Sequence, residues 1–231
     1  MDPPSIVKRC VAAGLHAVGV VDHNSAQNAR SVVDAARGTG LLVIPGIEAQ
    51  SSEEIHLVLL FEHYQAALAF EAEVVRPALP RVRCRRDVFG RQYKFDAAGR
   101  VVGEEETLLL NSLELDAAEI LSRAGEYAAV RIAAHADRPM NGYLYTLGIL
   151  PSGPVPDCFE FSGVHAAQSA IRRWQLQGRA RVIISSDAHS LSQIVPGRTA
   201  LHLDRLDFAG VSRAITSGSG ERVVMLQDTL H

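Results

Sequence analysis

The sequence predicts an α/β fold: a mostly parallel sheet with helices outside it, either a barrel or a doubly wound sheet. Three observations lead there. Short β-branched apolar runs alternate with segments of helical periodicity along the whole chain. The 231 residues, 47% hydrophobic and 21% charged, are enough to bury one sizeable core. No glycine-rich dinucleotide or P-loop motif follows any strand, so those two classes lack their central element. With no repeat, low-complexity tract or linker, residues 1–231 read as one domain.

Pro3-Pro4 followed by Ser5 to Ala13, with Ile6, Cys10 and Val11 on one face and Gly14 as the stop, predicts an opening helix. Ala17 to Val21 is a strand ending in Asp22-His23, and Ala26 to Arg37 is a helix closed by Gly38. Leu41 to Ile44 is a strand, after which Pro45-Gly46-Ile47-Glu48 carries a carboxylate out of its end. Ile55 to Phe61 is the next strand, and Tyr64 to Val75 is helical. Arginine-rich residues 81–103 break the alternation; Gln92-Tyr93-Lys94-Phe95, a turn at Ala98-Gly99 and Arg100-Val101-Val102 predict an inserted β-hairpin. A helix at Asp116 to Tyr127, a strand at Val130 to Ala134 and a Gly/Pro-rich loop at 148–156 come next. Strand Cys158 to Phe161, helix Ala166 to Gln177, strand Arg181 to Ser185, strand Thr199 to Leu203, helix Asp207 to Thr216 and strand Arg222 to Leu226 complete the chain.

Composition excludes several function classes. A net charge of −3 gives no global positive field for nucleic acid or an anionic membrane, so nucleic acid is not expected as an extended ligand. No apolar run reaches the roughly 20 residues of a membrane helix, and Met1-Asp2-Pro3-Pro4 lacks a signal-peptide pattern. The chain reads as cytoplasmic. Cys10, Cys84 and Cys158 are odd in number and without CxxC spacing, which argues against disulfides and against a cysteine zinc site.

Chemistry is concentrated at the strand ends. Asp22-His23 follows Val18 to Val21, Glu48 follows the run through Ile47, His135-Ala136-Asp137-Arg138 follows Ile132 to Ala134, and Asp187-Ala188-His189 follows Val182 to Ser186. In a parallel barrel the carboxyl ends of the strands share one face, so these residues converge. Imidazole and carboxylate together suit zinc, manganese or iron. His56 fits less simply, because it opens its strand and would lie at the opposite face of a parallel sheet. His16, His63, His165, His202 and His231 have no such context.

The series Asp22-His23-Asn24, Gly46-Ile47-Glu48, Glu54-Ile55-His56-Leu57, Ala134-His135-Ala136-Asp137-Arg138-Pro139 and Ser186-Asp187-Ala188-His189-Ser190 resembles the PHP (polymerase and histidinol phosphatase) family of metal-dependent phosphoesterases. The resemblance spans about residues 2–202. It implies a distorted (β/α)7 TIM-like barrel, up to three divalent ions and hydrolysis of phosphate esters. By the same resemblance, His23, Glu48, His56, His135, Asp187 and His189 are metal ligands, with Glu48 bridging two ions and His56 and His135 completing one of them. Asp187 and Arg138 are the expected catalytic residues, Arg138 through its fork of donors to phosphate. Asp22 and Asp137 are candidates to orient ligand imidazoles.

The family opens with a strand bearing a DxHxH motif, and this sequence begins after that point. The expectation is therefore a barrel missing its first strand, with fewer than three ions and reduced activity. The strand Ala17 to Val21 is then left at an open edge, filled by Arg222 to Leu226 or, as the favoured expectation, by self-association into a homo-oligomer. The expected substrate is a small phosphorylated molecule, and the arginines of 81–103 read as a solvated face rather than a lid. Two rivals share the strand-end residues: an amidohydrolase-like enzyme acting on C–N bonds, and an inactive metal-binding or interaction domain.

Overall fold

Alternation of side chains along successive strands gives this protein a sheet with two unlike faces. In the computed structural model, which describes residues 1–176, 181–195, 199–216 and 222–225, six strands form one curled sheet. They are β1 (Ala17–His23), β2 (Leu42–Gln50), β3 (His56–Leu60), β6 (Val130–Ala133), β7 (Cys158–Phe161) and β8 (Arg181–Ile184), side by side in that order. β4 (Gln92–Phe95) and β5 (Val101–Glu105) make the expected hairpin in the inserted segment. β9 (Thr199–His202) and β10 (Arg222–Met225) pair antiparallel as a separate ribbon. The expected ends at Gln177 and Leu226, and His231, lie outside the described residues.

The convex face is built first from the sequence pattern. Ile47, Ala49, Leu57, Leu59, Ala133, Phe159 and Phe161 pack under helices Tyr64–Phe70, Ala117–Glu126 and Val164–Arg173. Helix Ala117–Glu126 starts where the Asp116 and Glu119 side chains each accept the other's backbone N–H, a capping box. The concave face holds Ile44, Val58, Leu60, Val130, Ile132, Ala134 and Cys158, covered by Val211 and Ile215 of helix Phe208–Thr216. Helices Pro3–Ala12 and Ala29–Ala35 close a third cluster over β1 and β2.

The sheet is mostly parallel, as expected, with one strand reversed. β1 pairs parallel with β2, and β6, β7 and β8 pair parallel with one another. β3, however, runs antiparallel to both β2 and β6. The cause is connection length: five residues, 51–55, join β2 to β3, and a parallel crossover needs about a dozen or more. β2 also continues through Pro45-Gly46 to Gln50 instead of ending at Ile44. Pro45 has no N–H to give to the ladder, but its carbonyl still accepts from Phe61 N–H at 2.9 Å.

The gap beside β1 is not filled by Arg222 to Met225, the less favoured of the two expected fillers. β10 pairs with β9 and not with β1, so among the described residues no strand pairs with the free edge of β1. Ala188, Leu191 and Ile194 instead join the cluster of helix Pro3–Ala12 and β1, and Arg9 Nε donates to Leu191 O at 3.3 Å. No helix among the described residues is long and apolar enough to cross a membrane. Cys10, Cys84 and Cys158 are all free thiols, the first and last buried.

Gly46 sits in the middle of β2 where neighbours on both sides close in. A Cβ there would lie 2.5 Å from Leu59 O and 2.7 Å from Val21 Cγ1. Gly46→Ala is therefore expected to lower stability by about 1–3 kcal/mol, read as a shift of the urea midpoint.

Candidate metal centre

The turn of β3 settles the position of His56. Reversed relative to its neighbours, β3 begins at the same end of the sheet where β1 and β2 finish. The register pairs His23 with Glu48 and Gln50 with His56, so His23, Glu48 and His56 stand together on the concave face. His56 O accepts from Ala134 N–H at 3.1 Å, which brings His135 alongside.

Glu48, only 5% exposed, is the centre of the group. His56 Nδ1 lies 3.0 Å from its Oε1, His135 Nε2 3.5 Å from the same oxygen, and His23 Nδ1 3.4 Å from Oε2. The His56 ring centroid is 5.4 Å from that of His23 and 5.1 Å from that of His135. One ligand atom from each of His23, Glu48 and His56 falls within 4.8 Å of the others, a spacing that suits one ion. Burial pushes the Glu48 carboxyl up, but hydrogen bonds from His135 and His56 and the charge of His23 outweigh it and hold it well below the ordinary range. Burial lowers His23, against the opposing pull of Glu48.

Two buried nitrogens, His23 Nδ1 and His135 Nδ1, have no hydrogen-bond partner. Unsatisfied buried nitrogen on an imidazole beside a buried carboxylate fits a divalent cation, the ligand whose donor set this is. Backbone strain collects at the same place: Asn24, His135 and Asp187 have φ of 47°, 31° and 44°. Asn24 is fully buried; its Nδ2 donates to Leu109 O and Asn111 O, and its Oδ1 accepts from Gln50 N–H, which ties the end of β1 to the end of β2. A Cβ on Gly142 would collide with Arg138 O, so glycine closes the turn after His135.

The second group is more open. The His189 ring centroid is 6.1 Å from that of His23, its Nδ1 is 2.9 Å from Asp187 O, and its side chain is 61% exposed. Arg138 Nη2 lies 2.8 Å from Asp187 Oδ2. Asp22 and Asp137 do not hydrogen-bond to the imidazoles they were expected to orient. Asp22 accepts from Asn28 Nδ2, and Asp137 accepts from Ser162 N–H and Ser162 Oγ, because each side chain faces the loop beside it.

Sequence reasoning missed Glu160. It alternates with Phe159 and Phe161 on β7, so the phenyl rings face the helices and the carboxylate faces the concave side. That alternation was the available signal. Burial pushes its carboxyl up to about 7, with the Ser185 hydrogen bond opposing and the Asp187 charge adding. Glu71 was missed too. It is 2% exposed in a π-helical turn (Glu71–Val75), where it accepts from Ala26 N–H, Gln27 Nε2 and the Arg76 guanidinium. These bonds fasten the loop after His23.

Between the unfolded carboxyl value of 4.5 and the folded value of about 7, the folded state holds a Glu160 proton that the unfolded state releases. Stability therefore falls as pH rises through that window. In EDTA, Glu160→Gln is expected to be more stable than wild type at pH 8, by about 1–3 kcal/mol, with the gap closing near pH 5. Thermal melts at the two pH values measure this.

No protein-family model matches the sequence, and no curated protein matches it. Solved structures do match. The lesion-specific Endonuclease Q of Pyrococcus furiosus superposes with a TM-score of 0.68 at 18% identity, over 95% of this chain and 52% of that one. An Endonuclease Q complex with a 27-mer duplex carrying an abasic lesion at the active site gives 0.70, at the same identity and coverage. A protein from Bifidobacterium adolescentis, assigned as a metal-dependent phosphoesterase, gives 0.55 at 15% identity, over 85% of this chain and 84% of that one. The chain spans about half the length of the endonuclease structures it matches. One of these holds duplex DNA, so the exclusion of nucleic acid drawn from net charge has no support. What the likeness gives this chain is a fold: an α/β architecture whose curled six-stranded sheet is compatible with a distorted TIM-like barrel.

Proposed function

We propose that this protein is a metal-dependent hydrolase of phosphate esters, with His23, Glu48, His56, His135, Asp187 and His189 as the residues that hold its ions. The observation that carries the reading is Glu48, a buried carboxylate within 3.5 Å of three imidazoles, two of which keep a buried nitrogen without a partner. Zinc, manganese and iron all accept this mixed set. A divalent ion held there supplies Lewis acidity toward a phosphoryl oxygen and a water nucleophile at neutral pH.

The chain's own residues do the rest. The imidazoles around Glu48 hold its carboxyl well below the ordinary range against the effect of burial, which favours the ionised form that a cation needs. Arg138 lies on the side of Asp187, where its guanidinium can donate to the non-bridging oxygens of a phosphate. His189, the exposed member, would complete an ion's shell at the open side of the group, its ring oriented by Asp187 O 2.9 Å from Nδ1. A small phosphorylated molecule satisfies this chemistry, and so does one linkage of a phosphodiester chain; the DNA-bound neighbour favours the second. The C–N hydrolase reading is the weaker one. It often relies on a bridging modified lysine, and the two lysines stand elsewhere: Lys8 is exposed on the first helix and Lys94 pairs with Glu105 on the hairpin.

After chelation and reloading with zinc, manganese or iron, hydrolysis of bis-p-nitrophenyl phosphate or p-nitrophenyl phosphate is expected to return and to be abolished by EDTA. Metal binding without turnover would favour the inactive-domain reading instead. Glu48→Gln is expected to weaken metal binding at least about 10-fold, measured by calorimetry. Arg138→Ala is expected to lower kcat/KM about 10- to 100-fold while metal content stays at the wild-type level, which separates phosphate contact from ion binding.

A further inference from the structure

Exposed apolar side chains are concentrated in one part of this molecule. Val82, Val88, Phe89, Tyr93, Val101 and Val102 are 39% to 65% exposed, and all lie in residues 81–103. The same segment carries seven of the chain's 23 basic residues and only two of its 26 acidic ones. A chain of net charge −3 thus places cations and bare apolar surface side by side. Patches of this kind mark interaction sites.

Arg86, Arg91 and Lys94 pair with Glu104 and Glu105 just beyond the segment, but the other four cations are lightly held. Arg83 lies 3.9 Å from Glu106, with both side chains exposed, and Arg85 and Arg100 pair only with neighbours on their own segment, Asp87 and Asp96. Arg81 has no carboxylate partner among the described residues. Exposed pairs contribute little, so exchange of a carboxylate for a phosphate costs little. At the root of the segment a groove of about 470 Å³ is lined by Arg76, Arg81 and Arg83, by Leu79 and Val82, and by Glu106 and Thr107. Guanidinium and apolar wall together suit a nucleotide unit better than a simple anion.

The segment is also fixed beside the metal centre. Asn28 Nδ2 donates to Tyr93 O at 3.1 Å and to Asp22 Oδ2 at 3.0 Å, and Asn28 Oδ1 accepts from Phe95 N–H at 3.0 Å. Asp22 is the residue before His23. Arg76 bridges Glu71, which holds the loop after His23, to Glu105 of β5. The segment is therefore fastened to the end of β1 that carries His23, through the neighbouring residue Asp22.

We infer that residues 81–103 and the adjoining groove bind a single-stranded polynucleotide, its phosphates taken by Arg81, Arg83 and their neighbours and its bases stacked on Phe89 and Tyr93. The inference rests on the phosphate-ester reading and names its substrate as a phosphodiester chain. Unpaired bases are specified because exposed rings stack on a base only when its own neighbours do not cover it. An acidic polypeptide would match the arginines but leave the rings unused.

The test is fluorescence anisotropy of the full chain with a fluorescein-labelled 20-residue oligothymidylate, in EDTA so that hydrolysis is off. Binding is expected to weaken as salt rises from 50 to 200 mM, with a slope near −0.7 per phosphate contact. The double variant Arg81→Glu, Arg83→Glu is expected to weaken it about 10-fold or more and to flatten the salt slope, while Arg81→Lys, Arg83→Lys retains binding. Phe89→Ala with Tyr93→Ala is expected to weaken it at least about 5-fold with the salt slope intact. No binding at 50 mM salt, binding that survives both pairs of substitutions, equal affinity for poly-glutamate, or tighter binding of a duplex of equal length would each overturn the inference. Hydrolysis of bis-p-nitrophenyl phosphate is assayed separately without oligonucleotide. Binding without that turnover removes the proposed reaction and leaves the binding surface standing; turnover without binding does the reverse.

Discussion

A carboxylate shielded from water has to be answered by charge or by hydrogen bonds, and the placement of Glu48 organises the middle of this sheet. Three other elements contribute the answer: His23 from β1 and His56 from β3, the strands on either side, and His135 from the turn after β6. Each of those histidines is itself largely withdrawn from water, so none can leave without exposing the others to an uncompensated charge. The reversal of β3, imposed by its short connection to β2, serves the same centre. Only an antiparallel strand brings its first residue to the end where parallel neighbours finish.

Around this centre the polar groups work as fasteners. Asn24 ties the ends of β1 and β2 together and reaches the backbone at 109–111. Glu71 gathers the loop 25–27 and passes its charge through Arg76 to the hairpin. Fully satisfied networks of this kind hold loops in one geometry, which a metal centre needs because its ligands come from distant parts of the chain. The strained backbone at His135 and Asp187 is tolerated for the same reason: its surroundings leave no other arrangement.

Much of this was legible. The strand-end positions of His23, Glu48, His135 and Asp187 follow from short apolar runs that stop at ligand-type residues, and every strand of the sheet overlaps one expected from those runs. Pro45-Gly46 hid the remainder of β2, and with it the shortness of the β2–β3 connection that dictates the reversal of β3. Glu160 was readable from its alternation with two phenylalanines but was masked by the apolar strand around it. Glu71 was not readable. Its burial depends on a loop more than forty positions away in the chain, and no local pattern distinguishes it from the solvated glutamates of an ordinary helix. The pairing of the arginines in 81–103 with Glu104, Glu105 and Glu106 likewise depends on hairpin register, which sequence spacing alone does not set.

The cover of the concave face comes from the far end of the chain. Ile44, Val58 and Leu60 share the face of Glu48, and the side chains that shield them, Val211 and Ile215, belong to the last described helix. During synthesis β1, β2 and β3 leave the ribosome early, while the helix that completes their inner surface follows after most of the chain. Contacts of such long sequence separation form slowly. Until they form, the nascent chain presents an uncovered apolar sheet face with an unpaired edge at β1, the stretch in which a chaperone would have most to protect.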